Sequence, residues 1–201
     1  MLIFIKLLLA HLVGDFILQP TRWVLHKQSN KITSKFLYLH VLLHFVLYML
    51  VLWNLSLWKI AATVAVLHFI IDLLKLYAND MFKNKSIPFF IDQALHIIVL
   101  YCCAFYADLY AHTLALFENL DWYLITAIVF VTFPASIIMG KILEGMSNQI
   151  ETDHKSLPNA GKDIGIIERL FVLIFIVIGR WEVIGLLIAA KSVFRFNDLK
   201  E

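Results

Sequence analysis

The chain has 201 residues, of which 61% are hydrophobic and 16% are charged, with a net charge of +2 and a mean hydropathy of +0.82. An average soluble domain is about 25% charged and about 45–50% apolar, so this composition is that of a membrane protein. The small net charge and the lack of a long basic run exclude the charge pattern of a nucleic-acid-binding protein. The adjacent Cys102 and Cys103 lie in an apolar run, which favours reduced packing residues over a disulfide.

Seven apolar segments approach the length of a membrane-spanning helix, which needs about 20 mostly apolar residues. They are residues 2–19, 36–53, 60–78, 88–107, 122–140, 164–179 and 183–196. The sequence therefore predicts an all-α fold, a polytopic transmembrane helical bundle of about seven spans in one membrane domain covering residues 1–201. Residues 1–107 would form a four-helix core that bears the ligands, and residues 122–201 would supply supporting helices. The last two segments are short, and a re-entrant hairpin is the alternative to two full spans.

The distribution of lysine and arginine among the loops predicts the orientation, because these residues concentrate on the inner side of a membrane. Most of them fall on the side that receives the loop after the first segment. The longest loop on the other side, residues 108–121, is acidic. The prediction is an outer N-terminus and a cytoplasmic C-terminus.

Four of the apolar segments each carry two imidazole or carboxylate groups four residues apart. Residues at this spacing lie on one face of a helix, so each helix presents its pair on a single stripe. The predicted orientation then arranges the pairs in two layers at matched depth. The deeper layer is His11, His44, His68 and His96, and the layer nearer the inner side is Asp15, His40, Asp72 and Asp92.

These groups are costly in a membrane, since one aspartate at a helix centre costs about 2.5–3.5 kcal/mol on insertion. They are expected to face one another, water or a metal ion rather than lipid. Imidazole and carboxylate groups from several helices are what a metal site in a bundle requires. All of them are predicted ligands of one or two divalent transition-metal ions, with Zn²⁺ favoured, or partners that orient the ligands. A proton or ion relay and hydrogen-bonded packing histidines are the alternatives.

A second charged group lies near the inner ends of the last two segments. Arg169, Lys191 and Arg195 are predicted to bind an anionic group, such as a lipid phosphate, beside the metal. The alternative is that they are ordinary anchors at the inner membrane surface. Glu168 is expected to pair with Lys191 or Arg195, or to act as a general base.

Three residues beside the ligand stripe complete the predicted site. Asp92 is a candidate catalytic carboxylate as well as a candidate ligand. Gln19 and Gln93 are predicted to donate to a substrate oxygen or to orient a carboxylate.

A set of short motifs is spread over nearly the whole chain. They are HLVGDFILQP at residues 11–20, LHVLLH at 39–44, HFIIDLLK at 68–75, DQALH at 92–96, GKDIGIIERL at 161–170 and AAKSVFRF at 189–196. Together with Lys27, they resemble domain-of-unknown-function family 3307, a bacterial family of multi-pass inner-membrane proteins. The resemblance implies a helical fold and a place in the bacterial inner membrane, and its name implies no activity. The chain is also similar in style to bacterial membrane proteins labelled metal-dependent hydrolases.

The predicted function is a metal-dependent integral membrane hydrolase that acts on a lipid or lipid-linked phosphoester or ester near the cytoplasmic leaflet. The metal would lower the pKa of a bound water and polarise the scissile group. The expected partners are the lipid bilayer and an anionic lipid or lipid-linked substrate. One alternative is a metal-ion or proton-coupled transporter or channel, against which the apolar outer halves of the first four segments count. The other is a non-catalytic membrane subunit with a structural metal.

Overall fold

The computed structural model describes residues 1–110, 120–147 and 160–198, with the side chains of residues 1–108, 120–143 and 161–192. Within these residues the chain is all-helical, as predicted, and contains no strand. The helices are α1 (Leu2–Phe16), α2 (Thr21–Asn30), α3 (Lys35–Leu52), α4 (Trp58–Met81), α5 (Ser86–Tyr110), α6 (Trp122–Ser147), α7 (Ala160–Val177) and α8 (Trp181–Asp198). Short 3₁₀ turns at Lys31–Thr33 and Leu55–Leu57 precede α3 and α4.

The chain divides into two compact units, Met1–Thr152 and Asp153–Glu201. In the first unit, α1 packs against α3, α5 and α6, while α4 packs against α3 and α5. In the second unit, α7 packs against α8. The assignment of residues 1–201 to a single membrane domain stays a prediction.

Four helical segments of the described chain are long and apolar enough to cross a membrane, which is compatible with a membrane protein. They are Lys35–Leu52, Leu55–Met81, Ser86–Asp108 and Trp122–Leu143. The first helix passes the same test only together with Thr21–Thr33, from which it is bent by 83°. The predicted seven spans are therefore not confirmed. Helices α7 and α8 are 18 residues long and each carries four charged residues, which explains why neither qualifies.

The bend after α1 has a local cause. Pro20, in the extended conformation with φ −65° and ψ 148°, is the residue before the first turn of α2. A proline has no backbone N–H to continue a helical ladder, and it disfavours a helical conformation at the residue before it. The chain therefore turns away from the axis of α1 at this point, and α2 packs against α3.

An apolar core fills one end of the bundle in the first unit. On α1 and α4 the core residues precede His11 and His68 in the chain, whereas on α3 and α5 they follow His44 and His96. This alternation indicates that neighbouring helices run in opposite directions and that the core lies on one side of the histidines. The buried core is Ile3, Leu7, Ala10, Tyr48, Leu52, Leu57, Ala61, Val64, Ala65, Leu100, Ala104 and Ala107.

Candidate functional site

The structure brings the predicted ligand residues together inside the first unit. This set, called the His/Asp cluster, is His11, Asp15, His40, His44, His68, Asp72, Asp92 and His96. Each of its imidazole-bearing residues is at most 2% exposed, and the centroids of neighbouring rings lie 3.9–5.8 Å apart. Helices α1, α3, α4 and α5 each contribute two members, so the cluster forms where these four helices meet. The assignment of its members as metal ligands stays a prediction.

One oxygen of Asp15 faces three histidines from two other helices. Its Oδ1 lies 2.9 Å from His44 Nε2, 3.1 Å from His40 Nε2 and 3.7 Å from His68 Nε2. Its Oδ2 lies 3.8 Å from His11 Nε2, one turn earlier on α1. The carboxylate of Asp15 therefore links the ligand stripes of α1, α3 and α4.

Glycine at position 14 makes room for one of these rings. A Cβ atom added to Gly14 would stand 2.5 Å from His44 Nε2 and 3.0 Å from His44 Nδ1. The imidazole can therefore lie against the backbone of α1 only because this residue has no side chain. Gly14 thus allows the contact between His44 and Asp15.

On α5 the two cluster residues meet across one helical turn. His96 Nδ1 donates to the backbone carbonyl oxygen of Asp92 at 2.9 Å. A carbonyl oxygen can only accept, so a hydrogen lies on Nδ1, and in a neutral ring the lone pair then lies on Nε2. His96 Nε2 is buried and has no hydrogen-bond partner within the described residues. Metal-ligating histidines use this arrangement, because a bond at one ring nitrogen orients the other toward the ion.

Further buried atoms of the cluster lack a hydrogen-bond partner among the described residues. With His96 Nε2, they are His11 Nδ1, His11 Nε2, His44 Nδ1, His68 Nδ1 and Asp92 Oδ1. Leaving one buried polar atom unpaired costs about 1–3 kcal/mol. These nitrogen and oxygen atoms are donors that a cation or ordered water could use.

Three overlapping sets of cluster residues have ligand atoms within 4.8 Å of one another. The first set is His11, Asp15, His44 and His68, the second is His40, His68 and Asp72, and the third is Asp72, Asp92 and His96. Nitrogen and carboxylate donors together suit Zn²⁺, Mn²⁺ or Fe better than Ca²⁺ or Mg²⁺. Because adjacent sets share a residue, the cluster can serve two neighbouring ions, or one ion with hydrogen-bonded supporting residues.

Two ion pairs at the cluster were not predicted from the sequence. Lys27 Nζ lies 2.7 Å from Asp72 Oδ2, and Lys75 Nζ lies 2.6 Å from Asp92 Oδ2. From the sequence both lysines were assigned to the inner side, and neither was paired with a carboxylate. The signal for Lys75 is its spacing, because it lies one helical turn beyond Asp72 and therefore near the carboxylates. Each pair offsets the charge of one buried aspartate.

The two predicted glutamines contact the cluster. Gln19 Nε2 lies 2.9 Å from His40 Nε2. Gln93 Nε2 donates to Asp92 Oδ2 at 3.0 Å. Both amides therefore orient cluster residues, and donation to a substrate oxygen stays a prediction.

The predicted cationic residues of the last two helices belong to the second unit. There Lys191 on α8 donates to Glu168 on α7, which is one of the pairings expected from the sequence. Arg169 is partly buried on α7. The side chain of Arg195 lies outside the described residues. Binding of an anion by these residues, and the role of Glu168 as a general base, stay predictions.

A pocket of about 470 Å³ in the first unit reaches the cluster. Asp15, Gln19 and Gln93 form part of its wall, together with Lys75. The rest of the wall comes from Phe16 of α1 and from residues in and around α2, α4, α5 and α6. The pocket therefore gives a molecule from outside a path to Asp15, the most exposed member of the cluster, whose side chain is 10% exposed.

The family model described as protein of unknown function (DUF3307) matches residues 3–133. The matched segment contains the whole His/Asp cluster together with Lys27 and Lys75. A comparison with curated proteins finds no match, and neither does a comparison with solved structures.

Proposed function

This chain belongs to the family of proteins of unknown function DUF3307, and we propose that it is a metal-dependent integral membrane hydrolase. Its substrate would be a lipid or lipid-linked phosphoester or ester near the cytoplasmic leaflet. The observation that carries the proposal is the buried His/Asp cluster, in which ring nitrogens and a carboxylate oxygen lack hydrogen-bond partners within the described residues.

The donor set fits a transition metal of the zinc type. His11, Asp15, His44 and His68 would hold one ion, and Asp72, Asp92 and His96 would hold a second ion or support the first. When bound, the metal supplies a water of lowered pKa and polarises the scissile group. The hydrogen bond from His96 Nδ1 to the carbonyl of Asp92 keeps His96 Nε2 directed into the cluster.

Access to this centre is one-sided. The pocket reaches Asp15, whereas the apolar core covers the opposite side of the histidines. Substrate would therefore come from the pocket side, and the apolar core would keep water from reaching the metal through the other half of the bundle. This one-sided access suits a hydrolase better than a route across the membrane.

The location proposed is the bacterial inner membrane, with an outer N-terminus, a cytoplasmic C-terminus and α7 and α8 as two short spans or a hairpin. The four span candidates and their many exposed apolar side chains support insertion, for example Leu42, Leu74, Ile98 and Phe105, each 57–62% exposed. In cells, a Cys102→Ser/Cys103→Ser protein with Lys59→Cys should react with an impermeant maleimide. The same protein with Lys85→Cys should react only after permeabilisation. The opposite labelling pattern would reverse the orientation.

Metal binding is tested by elemental analysis of detergent-purified protein that has not been exposed to a chelator. Wild type should carry about one or two equivalents of a transition metal, and His68→Ala should lose most of it. His26→Ala is the matched control, because His26 lies outside the cluster and contacts Ser34 Oγ at 2.8 Å. Wild type without metal, or equal metal in all three proteins, would overturn the proposal.

Hydrolysis is tested with the metal-loaded full chain. A panel of short-chain lipid phosphoesters and esters should include a substrate that wild type and His26→Ala cleave and His68→Ala does not. A protein that binds metal stoichiometrically but cleaves no member of the panel would be assigned a structural metal instead.

A proton- or ion-coupled transporter is the second candidate, and the pairs Lys27–Asp72 and Lys75–Asp92 favour it. Charged pairs inside a membrane protein often mark ion or proton pathways. This candidate expects flux of protons or metal ions into liposomes that contain the protein. A metal-loaded protein that hydrolyses a phosphoester and carries no flux would exclude it.

A further inference from the structure

The pocket beside the cluster is lined with lysine side chains. Its wall contains Lys31, Lys75, Lys85 and Lys141, against the carboxylates of Asp15 and Asp80. These lysines come from four places in the chain: the 3₁₀ turn after α2, α4, the segment before α5, and α6. A concave surface with this excess of positive charge attracts anions and raises their local concentration.

Contacts within the protein hold three of the ammonium groups in place. Lys75 Nζ lies 2.6 Å from Asp92 Oδ2, at the boundary between pocket and cluster. Lys31 Nζ donates to the carbonyl oxygen of Leu76 at 2.6 Å, and Lys85 Nζ donates to the carbonyl oxygens of Asn79 and Phe82. Carbonyl oxygens leave the charge of a lysine unneutralised, so Lys85 is a positioned cation, whereas Lys31 also has an ion pair with the carboxylate of Asp80.

One competing carboxylate can be displaced at low cost. Asp80 Oδ2 lies 2.5 Å from Lys31 Nζ, but the Asp80 side chain is 71% exposed. An ion pair so open to water contributes little to stability. An anion with several oxygens can therefore replace Asp80 at Lys31 while it also contacts Lys85.

We propose that this lysine pocket binds a phosphate group, either as free phosphate or as a phosphate monoester head group. Lys31 and Lys85 hold its outer oxygens, and Lys75 turns the group toward Asp15. The amides of Gln19 and Gln93 line the same wall and can donate to its oxygens. This inference deepens the proposed function and rests on it for the chemistry that follows binding. It assigns the anion to these lysines rather than to Arg169, Lys191 and Arg195.

The volume of the lysine pocket is large enough for a phosphate group and part of the molecule that carries it. Ligand pockets range over about 300–1,000 Å³, and this one has about 470 Å³. Lysine is a common phosphate ligand that acts as a point charge, so several of them are needed to surround one group. The apolar side chains of Phe16, Val24 and Phe89 on the same wall can pack against the carbon atoms of the molecule that carries the phosphate group.

The experiment uses titration calorimetry to measure how inorganic phosphate and dihexanoyl phosphatidic acid bind to the detergent-purified, 201-residue protein. The two probes are used in separate titrations. Wild type, Lys31→Gln, Lys85→Gln and Lys35→Gln are compared. Lys35 is the control, because it is an exposed lysine after the same 3₁₀ turn but does not line the pocket. Each protein is titrated metal-loaded and after chelation, so that loss of metal and loss of anion binding are recorded separately.

Saturable binding should become about tenfold weaker in Lys31→Gln and in Lys85→Gln, the effect expected for one charge-assisted hydrogen bond, and stay unchanged in Lys35→Gln. Binding of both probes assigns the free phosphate group, and binding of the lipid alone assigns a head group. No saturable binding of either probe overturns the inference, as does equal weakening by Lys35→Gln. If the chelated and metal-loaded proteins bind the probes equally, and the metal-loaded protein cleaves no member of the lipid phosphoester and ester panel, the phosphate pocket is retained and the hydrolase proposal fails.

Discussion

Lys27 on α2 and Asp72 on α4 form an ion pair of 2.7 Å, with both side chains at most 6% exposed. The pair joins a helix that lies at a steep angle to α1 with one of the helices that carry the His/Asp cluster. His40 Nε2 lies 3.7 Å from the same carboxylate oxygen, so the pair is continuous with the cluster. This contact therefore links the position of α2 to the charge of the cluster.

Lys27→Met should destabilise the protein strongly, because it leaves the carboxylate of Asp72 buried without its cation. Breaking one side of a buried pair costs about 3–5 kcal/mol. Thermal unfolding in detergent measures the loss, and Lys35→Met, at an exposed lysine, is the control. The double variant Lys27→Met/Asp72→Asn should regain part of the stability, since no unpaired charge is left. A Lys27→Met protein as stable as wild type would contradict the pair.

Gly14→Ala should displace the ring of His44, because the new Cβ would stand 2.5 Å from His44 Nε2. The variant is expected to bind less metal than wild type, through loss of the contact between His44 and Asp15. Gly140→Ala on α6 is the control, since its Cβ would meet no atom within 4 Å. That change should be neutral or stabilising by up to about 1 kcal/mol, the difference in helix propensity. Full metal content in Gly14→Ala would show that the ring moves without consequence.

The spacing of polar residues in the sequence was enough to predict the cluster. Residues four apart share a helix face whatever the tertiary structure is, so His11 with Asp15 and Asp92 with His96 could be paired before the fold was known. Because neighbouring helices were predicted to run in opposite directions, the four pairs were expected at the same depth in the bundle. The spacing does not show which residues of the cluster bind a metal or take part in catalysis.

The lysine contacts and the pocket could not be predicted in the same way. Lys27 reaches Asp72 only because the chain bends at Pro20 and brings α2 over the end of the bundle. The pocket depends on side chains from α1, α2, α4, α5 and α6 and from the segments beside them, and no local sequence pattern contains the distances between these helices. The seven spans predicted from hydropathy are not confirmed, because α7 and α8 are apolar on average but each carry four charged residues.

Tyr48→Phe should leave the protein as stable as wild type or stabilise it by about 1 kcal/mol. The hydroxyl of Tyr48 is buried without a hydrogen-bond partner among the described residues. Burying an unpaired hydroxyl lowers the stability of the folded state, and the substitution removes this desolvation cost. Tyr38→Phe is the matched control, because Tyr38 donates to the carbonyl oxygen of Ile32 at 2.9 Å and should lose about 0.5–1.5 kcal/mol. Thermal unfolding of both variants is the measurement. A Tyr48→Phe protein less stable than Tyr38→Phe would indicate a partner for the buried hydroxyl.

Metal removal should lower the unfolding temperature of wild type, and added Zn²⁺ should restore it. A ligand that binds only the folded state stabilises it by RT ln(1 + [L]/Kd), which is about 2.7 kcal/mol at a free concentration a hundred times Kd. His96→Ala should show a smaller shift, since His96 belongs to one of the proposed ligand sets and its Nε2 is buried without a hydrogen-bond partner among the described residues. His26→Ala should keep the full shift. An equal response of wild type and His96→Ala would place the metal away from His96, and no response in either would remove the metal from the His/Asp cluster.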